Sequence, residues 1–536
     1  MNNSSSYKKA AYAARAIFCF KVVGSILGFF RQILYAFFFG TGARIEAFFA
    51  ASTMTNVSTK LFQTGALSNI FLPIFMEVKQ RDPKAAWKLT SDLFNLLLIL
   101  GGLASAILFW FAPKIVPWFV PGFESEKREL VVFLFRIIIP TLLLDILATL
   151  MTTILHANRR FVSVENASLC GNVLMMFVLL IFARRIGITA VALSLLSASF
   201  LQAFLLFVIA WREGFRIHAG IALKQKELLF LFRSLSPFFG YMALMQLQVW
   251  LTTVVLSLLP QGSMAVIRYG SDLFTQLVTL SSIPFSIVVF PSFSELALSR
   301  MEEAKEQLVG VLRKSLQMLL FLTVPAMVLM IAFRVPVIEA IYRRGHFDTM
   351  SVFMTSSVFA IFCAGFFFEG ASLIFKKLLF AFKRNFTAVA LMACSQVVYL
   401  FFLFILARPF GYLGIAAVSP LTATAYLGMM VWYVHVKVAD LSPLFRYFGK
   451  CLMKTAGAAM VMIIGCLELN TLFEMSHRSG TSPLASILQV ATLCLVGAGI
   501  YVSASWIFKI EELKIAWSIY GTNSLLRKGK ENGHVA

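Results

Sequence analysis

Along this chain, stretches of about twenty mostly apolar residues alternate with short polar connections. Residues 89–111, 131–155, 318–333 and 386–406 are typical stretches, and 173–182 with its flanks is another. Each is near the ~20 residues a helix needs to cross the hydrocarbon layer of a bilayer. Roughly fourteen such runs begin near residues 15, 45, 88, 131, 164, 187, 228, 264, 312, 351, 386, 411, 449 and 485. The pattern predicts an all-α, polytopic membrane protein of about 14 transmembrane helices.

Composition agrees. Hydrophobic residues make up 59% of the chain and charged residues 13%, against about 45–50% apolar and about 25% charged in a soluble domain. The apolar surplus has to face lipid. Residues 1–14 are polar and basic, but the run after them is too long for a signal-peptide core, so the first helix is expected to remain as a span.

The formal net charge of +22 changes the picture only once it is located. Both termini and the even-numbered connections carry most of the cations, among them Lys79, Arg81, Arg159, Arg160, Arg212, Arg216, Lys305, Arg313, Lys383, Arg384, Lys450 and Lys454. The opposite connections hold far fewer, such as Arg44, Lys127, Arg184, Arg185 and Arg344. This asymmetry accounts for the charge without nucleic acid and predicts cytoplasmic termini, in keeping with an even number of spans. The seven cysteines are scattered through apolar segments without C-x-x-C spacing and read as packing residues, not metal ligands.

Three short echoes recur in order. Pro73-Ile74-Phe75-Met76-Glu77 is answered by Pro291-Ser292-Phe293-Ser294-Glu295, at an offset of 218 (291 − 73). Gly122-Phe123 is answered by Gly345-His346-Phe347, and Arg160-Phe161 by Asn385-Phe386, at Phe offsets of 224 and 225 (347 − 123; 386 − 161). Two six-helix repeats follow, running parallel because six is even, with two additional helices at the C-terminal end. The expected organisation is an N-terminal lobe over 1–215, a C-terminal lobe over 216–440, the additional pair over 441–510 and a basic cytosolic tail over 511–536.

No phosphate loop, H-E-x-x-H helix or G-x-S-x-G elbow occurs, which argues against an ATPase or hydrolase. A membrane phosphotransferase is expected to place acidic residues near the cytosolic surface to hold a divalent metal, whereas these loops are strongly basic, which counts against that class. No cofactor or metal is therefore expected, and the reading is a transporter, not an enzyme. The functional signal is the set of ionisable residues inside apolar runs, where charge is costly and turns to the protein interior or a wet cavity. The cations are Lys21, Arg31, Lys60, Arg136 and Arg268; the acids are Glu46, Asp145, Asp272, Glu339 and Glu369.

In the first helix, Lys21, Gly24, Ser25, Gly28 and Arg31 share one stripe, which suits a polar space or close helix packing. Arg268 and Asp272 are four apart and so either pair with each other or serve substrate and gate. Cations from three helices around one cavity point to a phosphate-bearing anionic head group.

At this point the residues resemble the MurJ/MviN lipid II flippases of the multidrug, oligosaccharidyl-lipid and polysaccharide exporter superfamily. The likeness lies in Leu27-Gly28-Phe29-Phe30-Arg31, Phe39-Gly40, Glu46-Ala47-Phe48-Phe49, Asn56, Gly65-Ala66-Leu67-Ser68 and Phe71-Leu72-Pro73. Pro121-Gly122-Phe123, Arg160-Phe161, Asn172 and the Arg344-Gly345-His346-Phe347 loop follow in order.

The resemblance implies two six-helix lobes around a cationic central cavity, two further helices forming a groove for a polyprenyl tail, and alternating access that carries lipid II outward across the bacterial inner membrane. It assigns Arg31 and Lys60 to the cavity. Ser25, Thr59 and Asp272 stand where the family has further basic residues. Lys21 and Arg268 each lie one turn before a missing arginine and are expected to restore the charge.

Alternatives remain at this stage. One is export of another polyprenyl-pyrophosphate saccharide or an amphipathic drug; another is a non-transporting scaffold for cell-wall enzymes. Membrane potential or a coupling ion is the expected driving force, with Asp272, Glu46, Asp145 and Glu369 as gating or ion-coupling candidates.

Overall fold

The computed structural model describes residues 3–63, 71–218, 220, 225–298, 302–476, 483–510, 512 and 513. Among these, every regular element is a helix: α1 (Asn3–Phe39), α2 (Ala43–Gln63), α3 (Leu72–Arg81), α4 (Pro83–Phe119), α5 (Ser125–Ile138), α6 (Pro140–Ala157), α7 (Phe161–Ile186), α8 (Thr189–Arg212), α9 (Gln225–Ser257), α10 (Ser263–Leu298), α11 (Glu302–Ala332), α12 (Arg334–Tyr342), α13 (Thr349–Ala364), α14 (Phe366–Ala381), α15 (Asn385–Lys437), α16 (Ser442–Ser476) and α17 (Pro483–Ile507). Without water in the bilayer core, a backbone that satisfies its own hydrogen bonds is what these apolar runs can adopt. Local chemistry sets the breaks. Asp82 closes α3 and opens α4, accepting a hydrogen bond from the Lys84 N–H at 2.8 Å, and Pro83 takes a position that needs no donor.

Eleven described helices are long and apolar enough to span a membrane, and the pair α13 and α14, bent by 42°, makes a twelfth. α15 is interrupted at Gly411 and amounts to two helices. The more polar α2, 21 residues long, packs against α5, α6 and α9. The protein is thus an all-α polytopic membrane protein, and these elements are consistent with the fourteen spans expected. Trp110, Val288, Phe386 and Leu495 are 74% to 82% exposed, which suits side chains immersed in lipid.

The backbone carries the repeat as well. Arg159 and Lys383, at φ of 60° and 56°, are 224 positions apart (383 − 159), as are Gly187 and Gly411, at 57° and 56° (411 − 187). The break at Ile139 between α5 and α6 and that at Gly365 between α13 and α14 are 226 apart (365 − 139). These offsets match the sequence echoes, so the protein is two six-helix repeats with α16 and α17 added. That pair packs on itself and on α11.

The chain forms two compact units. One comprises Met1–Gln276, Tyr342–Val358 and Met392–Val418; the other comprises Leu277–Ile341, Phe359–Leu391 and Ser419–Ala536. In the first, Phe71, Phe75, Phe94, Met151, Ile154 and Phe215 form a core, with Trp87 packed on Phe75 and Phe215. Phe215 lies after α8 and is fully buried; Ser91 and Asn95 of α4 bind the backbone of His218, so the start of the connection between the repeats is fastened to α4. In the second unit, Phe293, Leu312, Leu316, Phe375 and Met430 make the corresponding core. Phe75 and Phe293, the aromatic residues of the two P-x-F-x-E echoes, are core residues of their units.

Candidate functional site

Within the first unit, the start of α2 carries Glu46, 98% buried behind the turn at Gly40. One carboxylate oxygen accepts from the backbone N–H groups of Gly262 at 3.0 Å and Met264 at 2.9 Å, with Ala265 at 3.4 Å. These are the unpaired donors of the first turn of α10, and the anion sits at the positive end of the helix dipole. The other oxygen accepts from Lys127 of α5 at 2.6 Å, and the ammonium of Lys127 lies 3.6 Å from the ring centre of Phe123. A single carboxylate thus ties together α2, α5 and α10.

Neighbouring loops close around this anchor. The Tyr269 hydroxyl donates to the Gly40 carbonyl at 3.0 Å, and the His346 N–H donates to the Phe37 carbonyl at 3.0 Å. Thr41 and Ser351 share a hydrogen bond of 2.7 Å between their hydroxyls. Gly345 has φ +62°, and a Cβ there would stand 2.2 Å from the Phe37 carbonyl oxygen. Phe49, Tyr269, Tyr342 and Phe347 form a buried aromatic cluster beneath these contacts.

Further along α1 and α10 lies the charged group. Asp272 accepts from Gln32 Nε2 at 2.6 Å and from Arg268 Nε at 3.0 Å, both on the same carboxylate oxygen. The pairing of Arg268 with Asp272 that their spacing allows is therefore present. Arg268 also stands 6.0 Å from the ring centre of Phe49. Arg31 is half-buried; its Nη1 lies 3.7 Å from Met175 Sδ of α7, and its Nε is buried without a hydrogen-bond partner. Arg31, Arg268 and Asp272 are all within electrostatic reach of the buried Tyr35. Arginine keeps its charge even when desolvated, so this group presents a guanidinium with an unused donor.

The other candidates lie elsewhere. Lys60 is an exposed residue near the end of α2. Asp145 of α6 shares a hydrogen bond with Ser199 of α8, inside the first repeat. Glu369 is in α14, in the second unit, within reach of the charge of Lys376. The side chain of Lys21 lies outside the described residues. Sequence reading passed over Gln32, Lys127 and Tyr269. Gln32 carries a local signal, a polar residue beside Arg31 in an apolar helix, whereas Lys127 reads as an ordinary loop cation because its partner is 81 positions away.

The model of the family described as lipid II flippase MurJ matches residues 35–487. The chain belongs to the MurJ family. A relative from Haemophilus influenzae, called a probable lipid II flippase MurJ, is 25% identical over 509 residues, covering 89% of this chain and 98% of its own. One of the same name from Rickettsia prowazekii is 24% identical over 346 residues, 64% of this chain and 68% of its own.

A solved lipid II flippase MurJ in an inward closed conformation aligns over 92% of this chain and 98% of its own, with a TM-score of 0.76 and 20% identity. An inward-facing multidrug transporter of the MATE family covers 79% and 96%, with a TM-score of 0.63 and 12% identity. Both are likenesses of fold. In this MurJ-family chain the L-G-F-F-R run of α1 supplies Arg31, and the E-A-F-F run of α2 supplies the buried Glu46 and the aromatic Phe49.

Proposed function

We propose that this MurJ-family chain moves lipid II, or a closely related polyprenyl-pyrophosphate saccharide, from the cytoplasmic to the outer leaflet of the bacterial inner membrane by alternating access of the lobes 1–215 and 216–440. Both termini are cytoplasmic in this reading. The observation that carries it is Arg31, a half-buried guanidinium whose Nε is buried with no partner. A buried donor left unpaired costs about 1–3 kcal/mol, more for a charged group. A diphosphate relieves that cost, because guanidinium and phosphate oxygens match in geometry and charge.

Arg268 joins Arg31 by exchanging Asp272 for phosphate, and Lys60 and Lys21 are the further cations assigned to the substrate in this reading. Asp272 is thus a stand-in anion for the empty state, held on Gln32 until Arg268 returns. Release on the outer side requires the contacts at Glu46 to open, since they tie α2 and α5 to α10. Membrane potential or an ion gradient drives the cycle, with Asp145 and Glu369 as the acids available to a coupling ion. Cell-wall synthesis enzymes are the expected neighbours.

The test is depletion of the native copy and complementation with wild type, Arg31→Ala and Lys60→Ala, scoring the leaflet that holds lipid II. Trapping of lipid II on the cytoplasmic leaflet, relieved only by wild type, is the expected result. An unchanged lipid II distribution on depletion removes this reading.

A further inference from the structure

In the second unit, the first turns of α11 and α16 enclose a cleft of about 610 Å³ that the transport cycle above does not use. Its walls include Lys305, Glu306, Gly310 and Arg313 from α11 and Asp440 and Tyr447 from the start of α16. Both helices enter the apolar layer from here, their spans covering Lys305–Ala332 and Ser442–Thr471. The cleft therefore lies at head-group depth, on the side where the cations of the chain concentrate.

Three features point to a ligand. The guanidinium of Arg313 is stacked on Tyr447, 4.9 Å from the ring centre, and its Nε is buried with no hydrogen-bond partner. A guanidinium held over an aromatic ring, with an unused N–H, is suited to bind an oxyanion. Gly310 faces open space: a Cβ added there would meet no atom within 4 Å. A glycine in mid-helix is unfavourable by about 1 kcal/mol relative to alanine, and here it widens the cleft beside Arg313. A second, smaller space of 170 Å³ adjoins at Tyr447 and is lined by Lys450 and Lys454 together with Gln317 and Glu512.

Two carboxylates share the cleft wall with these cations. One oxygen of Asp440 accepts from the Ser442 N–H at 2.9 Å and hydroxyl at 2.7 Å and lies 3.3 Å from His435 Nδ1, which turns it toward its own helix start. Glu306 is an exposed residue of the cleft wall. We infer that the cleft binds the head group of a glycerophospholipid bearing both a phosphodiester and an ammonium, the phosphate on Arg313 and the ammonium toward Glu306. The ligand is a membrane lipid in this reading, with Arg313 in the second unit and Arg31 and Arg268 in the first.

Native mass spectrometry of the full chain released from nanodiscs of phosphatidylethanolamine or phosphatidylglycerol tests this. Wild type should retain one phosphatidylethanolamine more strongly than phosphatidylglycerol. Arg313→Gln should weaken retention tenfold or more, and Glu306→Gln should remove the preference for the ethanolamine lipid. Gly310→Leu fills the cleft without touching Arg313 and should abolish retention while the delipidated protein melts no lower than wild type. Arg216→Gln, on a basic residue of the other unit, should change nothing. Retention by Gly310→Leu equal to wild type overturns the site. So does inorganic phosphate that stabilises the delipidated protein as well as the lipid does, because the ligand is then a free anion. Lipid retention and lipid II trapping are separate readouts, so loss of one leaves the other standing.

Discussion

The carboxylate of Glu46 in α2 caps the first turn of α10 through the backbone N–H of Met264, 2.9 Å away. Caps are usually supplied by the residue that precedes a helix; here the capping anion comes from a helix 218 positions earlier in the chain and is itself held by Lys127. A helix start fastened in this way is released only when the anion withdraws. The arrangement therefore suits a contact that must hold in one state and break in another.

Glu46→Ala removes the acceptor for these N–H groups and strands Lys127, whose side chain is 15% exposed. Breaking one side of a buried pair costs about 3–5 kcal/mol. The expected result is a clear drop in thermal midpoint in detergent, with Glu46→Gln falling between the two because its amide oxygen can still take the Met264 N–H. If Glu46→Ala melts with wild type, the anchor has no energetic weight.

Arg31→Ala is expected to separate function from stability. Removal of a buried donor that has no partner relieves desolvation, so the melting midpoint should hold or rise while complementation of a depleted strain is lost. A variant that is active, or one that is inactive only because it fails to accumulate, contradicts the role given to Arg31.

Gln32→Leu and Asp272→Asn form a coupled pair, since Gln32 donates to Asp272 at 2.6 Å. Hydrogen bonds between membrane helices average about 0.6 kcal/mol in double-mutant cycles. A coupling energy near that size, measured from the unfolding of both single variants and the double variant, is the expectation. Strict additivity indicates that the contact does not tie α1 to α10.

Two glycines should behave oppositely. Gly345→Ala places a Cβ at φ +62° and 2.2 Å from the Phe37 carbonyl, so it should destabilise, by more than about 1 kcal/mol. Gly28→Ala meets nothing within 4 Å in α1 and should be neutral or raise stability, by about 0.5–1 kcal/mol. Comparable midpoints for the two variants overturn the close loop packing described at Gly345.

Much of the architecture is legible from one dimension. Runs of about twenty apolar residues can satisfy their backbones in lipid only as helices, so membrane class and span positions follow directly. The repeat is visible in the short echoes at Phe123 and Phe347, and the positive φ values at Gly187 and Gly411 are its backbone counterpart. Resemblance at Leu27-Gly28-Phe29-Phe30-Arg31 and Glu46-Ala47-Phe48-Phe49 identifies the family correctly because these residues are local in the chain.

The partners of those residues are another matter. From sequence, Glu46 stands in a family-like E-A-F-F run, but nothing local says what its carboxylate meets, any more than for Asp145 or Glu369. The tertiary structure gives each a different environment: Glu46 on the end of α10 and on Lys127, Asp145 beside Ser199, and Glu369 near Lys376.

The sequence by itself determined the solvent, the helical class, the repeat and the family, because apolar length and short motifs act through neighbours along the chain. Only the tertiary structure decided that Arg268 is engaged by Asp272 while Arg31 keeps an unpaired Nε, and that Gly310 opens a cleft beside Arg313. The physical reason is that pairing and desolvation depend on which side chains meet across helices, over separations such as the 240 positions between Gln32 and Asp272, where spacing along the chain carries no information.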